Sequence, residues 1–209
     1  MELSLIVLSY LIGSIPFGLV LTKLSGHGDI RKTGSGNIGA TNVLRTGNKG
    51  LAFMTLILDG GKGALMVFLA SLFLTYNPAQ DSAPAELSIA LHTLVGGAAI
   101  LGHCFPIWLK FKGGKGVATT LGTLLIAVPY AGLAACITWL LSAFLFKISS
   151  LSALIAIAIA PLVTFFVYGQ TPASVCTLIM LLVWVRHKDN IKRLLKGEEP
   201  KIGDKKNNG

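Results

Sequence analysis

The chain has 209 residues, 53% of them hydrophobic and only 13% charged, with a mean hydropathy of +0.70; soluble domains carry about a quarter of their residues as charges, so an ordinary soluble enzyme is excluded. A formal charge of +9 in so apolar a chain points to anionic headgroups or phosphorylated substrates as partners, not to nucleic acid. Cys104, Cys136 and Cys176 fall in separate apolar segments without metal-ligand spacing, which argues against a disulfide framework and a zinc site.

In chain order, apolar stretches run at about 3–22, 51–76, 87–109, 117–130, 131–146, 151–168 and 173–185, and a membrane span needs roughly 20 apolar residues as a helix. The first carries Glu2 in place of a basic n-region, and no small-x-small cleavage site follows Leu3 to Leu11. It therefore reads as a permanent span and not a signal peptide. Residues 117–146 can form two short helices with a turn near Pro129 or one bent helix, and the charges choose between them. Basic residues occur at Lys23 to Lys49, at Lys62, at Lys110 to Lys115, at Lys147 and from Arg186 onward. With about seven spans they all share one side, while Glu2, the Asn77 to Glu86 segment, the Pro129 turn and Tyr168 to Pro172 share the other, without a lysine or arginine. The expected fold is all-α and polytopic, with about seven transmembrane helices, the N-terminus outside and the C-terminus cytosolic. Residues 1–199 form one integral-membrane domain, and residues 200–209 read as a polar, disordered tail.

The first cytosolic loop, from Gly34 through Arg45 to Gly50, is dense in glycine, hydroxyl and amide side chains. Gly34 and Gly36 permit backbone conformations in which successive N–H groups converge on an anion. Ser35, Asn37, Thr41 and Asn42 add donors, and Arg45 can grip two phosphate oxygens. A flexible linker is the rival reading, but such linkers are mostly glycine and serine.

Two GGKG segments follow, Gly60 to Gly63 and Gly113 to Gly116. Neither is a Walker A loop: Leu56 and Leu109 stand where its first glycine would be, and no Ser or Thr follows Lys62 or Lys115. The topology places both, with the serines Ser149, Ser150 and Ser152, where helices leave the cytosol, so three helix N-termini are expected to offer free N–H groups to phosphate. Lys62 lies one turn from Asp59, and the two can simply neutralise each other. In the last segment Arg186, Asn190 and Arg193 share a helix face, with His187 beside Asn190. A basic headgroup anchor explains its lysines better than it explains His187 and Asn190. His92 reads as a packing residue, while His103, before Pro106, is open. No histidine begins an H-x-x-x-x-D pattern: the positions in question hold Lys32, Gly97, Trp108 and Lys192.

Gly13-Ser-Ile-Pro-Phe-Gly18, Asp29-Ile-Arg31, Gly34 through Arg45, Gly102-His-Cys-Phe-Pro106, Phe111 through Thr119 and His187 through Arg193 together resemble the bacterial acyl-phosphate:glycerol-3-phosphate acyltransferases, the PlsY family, from the first span to about Glu199. The resemblance implies a seven-span enzyme of the bacterial inner membrane with its site facing the cytosol. Its reaction would move a fatty acyl group from acyl phosphate to the 1-hydroxyl of glycerol 3-phosphate, giving lysophosphatidic acid and inorganic phosphate, the first step of phospholipid synthesis. It assigns function to Ser35 and Arg45, phosphate binding to Gly113, Gly114, Lys115 and Gly116, and function to His187 and Asn190. A family serine falls on Ser150 or Ser152, with Ser152 slightly preferred, and the terminal glutamate on Glu198 or Glu199 in a structural role. No cofactor or metal is expected, and the protein is expected to be a monomer. The base is either His187 or a substrate phosphate. An anion transporter or an acyl-CoA-dependent acyltransferase are the alternatives.

Overall fold

The computed structural model describes residues 2–75 and 84–202, and all regular structure among them is helical. The expected segment from Asn77 lies mostly outside the described residues, as do residues 203–209. The first stretch is broken: α1 (Glu2–Gly13) and α2 (Phe17–Leu24) flank Ser14, Ile15 and Pro16. Pro16 has no N–H to give to the helical ladder and its ring disfavours a helical Ile15. The Ile15 carbonyl turns aside, where the Lys62 ammonium reaches it at 2.9 Å. A short α3 (Ala40–Val43) stands in the loop after α2.

The remaining apolar helices are α4 (Lys49–Thr75), α5 (Ala85–Cys104), α6 (Val117–Ala127), α7 (Pro129–Phe146), α8 (Ser149–Tyr168) and α9 (Gln170–Arg186), followed by the short amphipathic α10 (Lys188–Leu195). Among the described residues five segments, α1 with α2, α4, α5, α7 and α8, are long and apolar enough to cross a membrane, while α6 and α9 are apolar but shorter. The division of 117–146 into two helices holds: the chain breaks at Val128, and Pro129 opens α7, where its missing N–H costs nothing.

Side-chain contacts sort the loops into two ends. Tyr168 accepts a hydrogen bond from the Tyr130 amide at 3.2 Å, and Glu86 accepts one from the Thr171 hydroxyl at 3.2 Å. The starts of α5, α7 and α9 therefore share one end. At the other, Thr41 meets Ser149 at 3.2 Å, the Ile202 amide reaches the Lys147 carbonyl at 2.7 Å, and Arg186 reaches Gly113 and Gly114. Ile202, within the segment expected to be a disordered tail, is thus tied to the turn between α7 and α8. Helix α1 runs alongside α5 in the same direction, with Ser9 bonded to the Val95 carbonyl and Tyr10 to the Phe105 carbonyl.

The outside of the bundle is apolar, with Phe144 and Phe166 about four-fifths exposed, whereas Ser9, Thr55, Thr93 and Thr164 inside are wholly buried. Small residues bring the helices together, as in lipid, where packing and not water drives association. A Cβ on Gly13 would overlap the Ala99 carbonyl, and one on Gly122 the Gly60 carbonyl. Gly63 likewise faces the Thr123 hydroxyl, so Gly60 and Gly63 form the seat of α6 on α4. This corrects the expectation that both GGKG segments open helices. The first lies inside α4, because the apolar run from Leu51 already supports helix from Lys49; only the second precedes a helix start, with Gly116 as the N-cap of α6.

Candidate active site

The loop after α2 is built around one side chain. Asn42, 2% exposed, accepts a hydrogen bond from the Ser35 amide at 2.9 Å and donates to the carbonyls of Asn37 at 2.7 Å, Ile30 at 3.0 Å and Thr33 at 3.2 Å. Asn42 therefore does not face a phosphate as expected; its amide is saturated within the loop. Gly34 turns at φ 56° directly against the Asn42 oxygen and the Arg45 side chain, a place where a Cβ has neither the conformation nor the room. Gly36 also turns at positive φ. Ser35 is exposed, its hydroxyl without a hydrogen-bond partner among the described residues, and Arg45 is likewise unengaged. Asn37 is half-buried, and Thr41 ties the loop to Ser149 in the first turn of α8.

The loop from Lys110 to Gly116 is held from two sides. Its Gly113 and Gly114 amides donate to the Cys104 and His103 carbonyls at 3.2 and 3.0 Å, and their carbonyls accept from the Arg186 guanidinium at 3.0 and 3.1 Å. Arg186 also lies 5.0 Å from the centre of the Phe105 ring. The amides of Gly113 and Gly114 are thus consumed, contrary to the expectation that they bind phosphate. Donors in this loop come from Lys115, Gly116 and the first turn of α6. Gly116 turns at φ 84° to start that helix. The Lys115 ammonium has no hydrogen-bond partner among the described residues; burial lowers it to about 8, the Glu199 carboxylate opposes that, and Arg193 and Arg186 add to it.

The third part joins the start of α8 to the C-terminal segment through Glu199. Its carboxylate accepts from the Ser150 hydroxyl at 2.7 Å, the Asn190 amide at 2.5 Å and the Arg193 guanidinium at 2.7 Å. Burial alone would raise this carboxyl, but the three hydrogen bonds outweigh it and hold it below its ordinary value. Ser150, not the preferred Ser152, is the serine in this cluster: Ser152 is fully buried and returns its hydroxyl to the Ile148 carbonyl at 2.8 Å. His187, 2% exposed, bonds through Nδ1 to the Val183 carbonyl at 2.8 Å. A carbonyl only accepts, so Nδ1 carries the proton and Nε2 keeps its lone pair. Burial pulls His187 down to about 4, the Val183 bond opposes this, and nearby Lys115 adds to it.

Lys62 stands apart from these groups. It is 3% exposed, and its three N–H donors go to Asp59 at 2.9 Å, the Ile15 carbonyl at 2.9 Å and His103 Nδ1 at 3.0 Å. A phosphate contact from Lys62, expected from the repeat, is therefore not supported. Arg186 and Glu199 are the groups whose place was hidden in the sequence. Arg186 read as one more basic residue at a helix end, and Glu199 stood beside the equally plausible Glu198.

A bundle with an apolar exterior, and with cationic loops, hydroxyls and two helix starts gathered at one end, is that of an integral-membrane protein. The glycerol-3-phosphate acyltransferase family model matches residues 3–197. The chain is 56% identical over 197 residues to a glycerol-3-phosphate acyltransferase of Rhodospirillum rubrum, covering 94% of this chain and 89% of that protein. To one of Caulobacter vibrioides it is 54% identical over 202 residues, covering 96% and 88%. It also matches the crystal structure of PlsY, an integral membrane glycerol 3-phosphate acyltransferase, in its glycerol 3-phosphate form, with a TM-score of 0.84 and 36% identity over 97% of this chain and 96% of that one. The lysophosphatidic acid form matches with a TM-score of 0.81. The chain belongs to the glycerol-3-phosphate acyltransferase family.

Replacing Asn42 with alanine should strip the Ser35 amide and three carbonyls of their partner and open the first loop. Limited proteolysis between residues 31 and 48 is expected to accelerate by about tenfold or more, the size of an effect of ~1–3 kcal/mol on local opening. An unchanged cleavage rate would show that Asn42 does not hold the loop.

Proposed function

We propose that the protein transfers a fatty acyl group from acyl phosphate to the 1-hydroxyl of glycerol 3-phosphate, releasing lysophosphatidic acid and inorganic phosphate. The observation that carries this reading is the convergence, in a member of this family, of the Thr41–Ser149 junction, the Ser150–Glu199–Asn190 cluster and Lys115 beside His187 at one end of an apolar bundle. Two phosphorylated substrates need several cationic and N–H donors, and a lipidic acyl chain needs an apolar wall.

The distribution of charge supports seven crossings of a bacterial inner membrane, with the N-terminus outside and the site facing the cytosol. Helix α6 has 11 residues, about 16 Å of rise, half of the roughly 30 Å hydrocarbon layer. The loop 113–116 precedes α6 at its cytosolic end, and its backbone is paired with the end of α5 and with Arg186.

Acyl phosphate is a mixed anhydride with a good leaving group, so no acyl-enzyme is required. Ser35, Arg45, Lys115, Gly116 and the backbone N–H groups of the first turn of α8 hold the phosphates, and Asn190, fixed by Glu199 through one amide N–H, turns its remaining amide groups to the glycerol moiety. The 1-hydroxyl oxygen attacks the acyl carbon, the carbon–oxygen bond to phosphate breaks, and the hydroxyl proton leaves on a phosphate oxygen. A phosphate monoester titrates near pH ~6, closer to neutrality than His187 at about 4, so the substrate's own phosphate is the better base. His187 then serves through its Nε2 lone pair, accepting a hydrogen bond from glycerol 3-phosphate.

Purified protein supplied with acyl phosphate and glycerol 3-phosphate should release equal amounts of lysophosphatidic acid and phosphate, and Ser35→Ala should lose most of that turnover. Product only from acyl-CoA would overturn the donor, and no product from either donor would favour an anion transporter. The Lys115 charge predicts a pH dependence: a lysine at about 8 is cationic below that value and neutral above it. Accordingly kcat/KM should fall as pH rises past about 8, and Lys115→Arg should move that limb upward, because arginine stays charged; an unmoved limb would exclude Lys115 as its source. His187→Gln should weaken glycerol 3-phosphate binding while turnover at saturation stays measurable. Its complete loss would return the base role to His187.

A further inference from the structure

Asp59, Lys62 and His103 form a buried group that no step above uses. Asp59 and Lys62 face inward from α4, His103 from the end of α5, and all three are at most 4% exposed. His103 Nδ1 is 3.0 Å from Lys62 Nζ and 3.5 Å from Asp59 Oδ1, and the Phe17 ring covers the ammonium at 5.6 Å. Ionisable groups in a membrane bundle are costly and seldom placed there for stability alone.

The group leads to the loop that carries Lys115. The far side of the His103 ring, at Nε2, lies against Gly114 so closely that a Cβ on Gly114 would overlap it. The His103 carbonyl accepts the Gly114 amide at 3.0 Å, and the neighbouring Cys104 carbonyl accepts the Gly113 amide at 3.2 Å. Arg186 presses the same two residues from the opposite side. The ring therefore fixes the height of the loop, and Lys62 and Asp59 fix the ring. Through the Ile15 carbonyl, Lys62 also ties this arrangement to the break between α1 and α2.

We propose that Asp59, Lys62 and His103 are positioning residues that set the place of the Lys115 ammonium by holding the His103 ring against Gly114. The proposal rests on the reading of Lys115 as a phosphate-binding group. A displacement of about 1 Å at a reacting centre can cost a hundredfold in rate, which gives the network a kinetic reason to exist.

A double-mutant cycle tests it. The neutral pair Asp59→Asn with Lys62→Gln leaves no lone buried charge, and His103→Asn removes the ring from Gly114 while leaving the Asp59–Lys62 pair in place. Each is expected to lower kcat/KM by about 10- to 100-fold. In a Lys115→Ala background the same changes should cost less than about threefold, because the residue they position is gone. Two independent variants guard against one that does not fold, which thermal unfolding of the purified protein reports. A loss of equal factor with and without Lys115 would overturn the positioning role. Wild-type kinetics for Lys115→Ala alone would instead overturn the site reading beneath it, and the proposal with it.

Discussion

Irregular backbone inside an apolar bundle survives only if protein groups replace the water that would otherwise satisfy its amides and carbonyls. The Gly113–Gly114 segment meets that demand completely: two amides are taken by the end of α5 and two carbonyls by Arg186 at the end of α9. The loop so held brings Lys115 beside His187 and the Glu199 cluster. Glycine is needed at both positions because the His103 carbonyl, Pro106 and the His103 ring occupy the space of any side chain. The constraint explains why motif residues that look like phosphate ligands spend their backbone on the scaffold.

The same division of labour recurs in the first loop. Asn42 is consumed by four backbone groups, and that leaves the Ser35 hydroxyl and the Arg45 guanidinium unengaged. In the C-terminal segment, Glu199 draws Ser150, Asn190 and Arg193 onto one carboxylate. A carboxylate amid so many cations balances their mutual repulsion and fixes their geometry.

Much of this was legible in the residues. Apolar length and the one-sided placement of lysine and arginine marked the helices and the two ends, and Pro129 separated α6 from α7. Gly116 before an apolar run marked a helix start. Other features misled because local pattern is silent on partners. The first GGKG has the composition of the second, yet it lies within α4 and serves packing against α6. Ser150 and Ser152 are equivalent by motif, and only the direction of each hydroxyl separates them.

The sequence by itself determined the solvent of this protein, its helical class and its charge asymmetry, because these follow from composition and from short-range periodicity. Tertiary structure alone decided which asparagine is scaffold, which lysine is buried with Asp59 and His103, and which glutamate gathers the site. Those outcomes depend on pairings between residues up to about a hundred positions apart, such as Thr41 with Ser149, and hydrogen-bond satisfaction is a property of the folded neighbourhood, not of the segment that carries the donor.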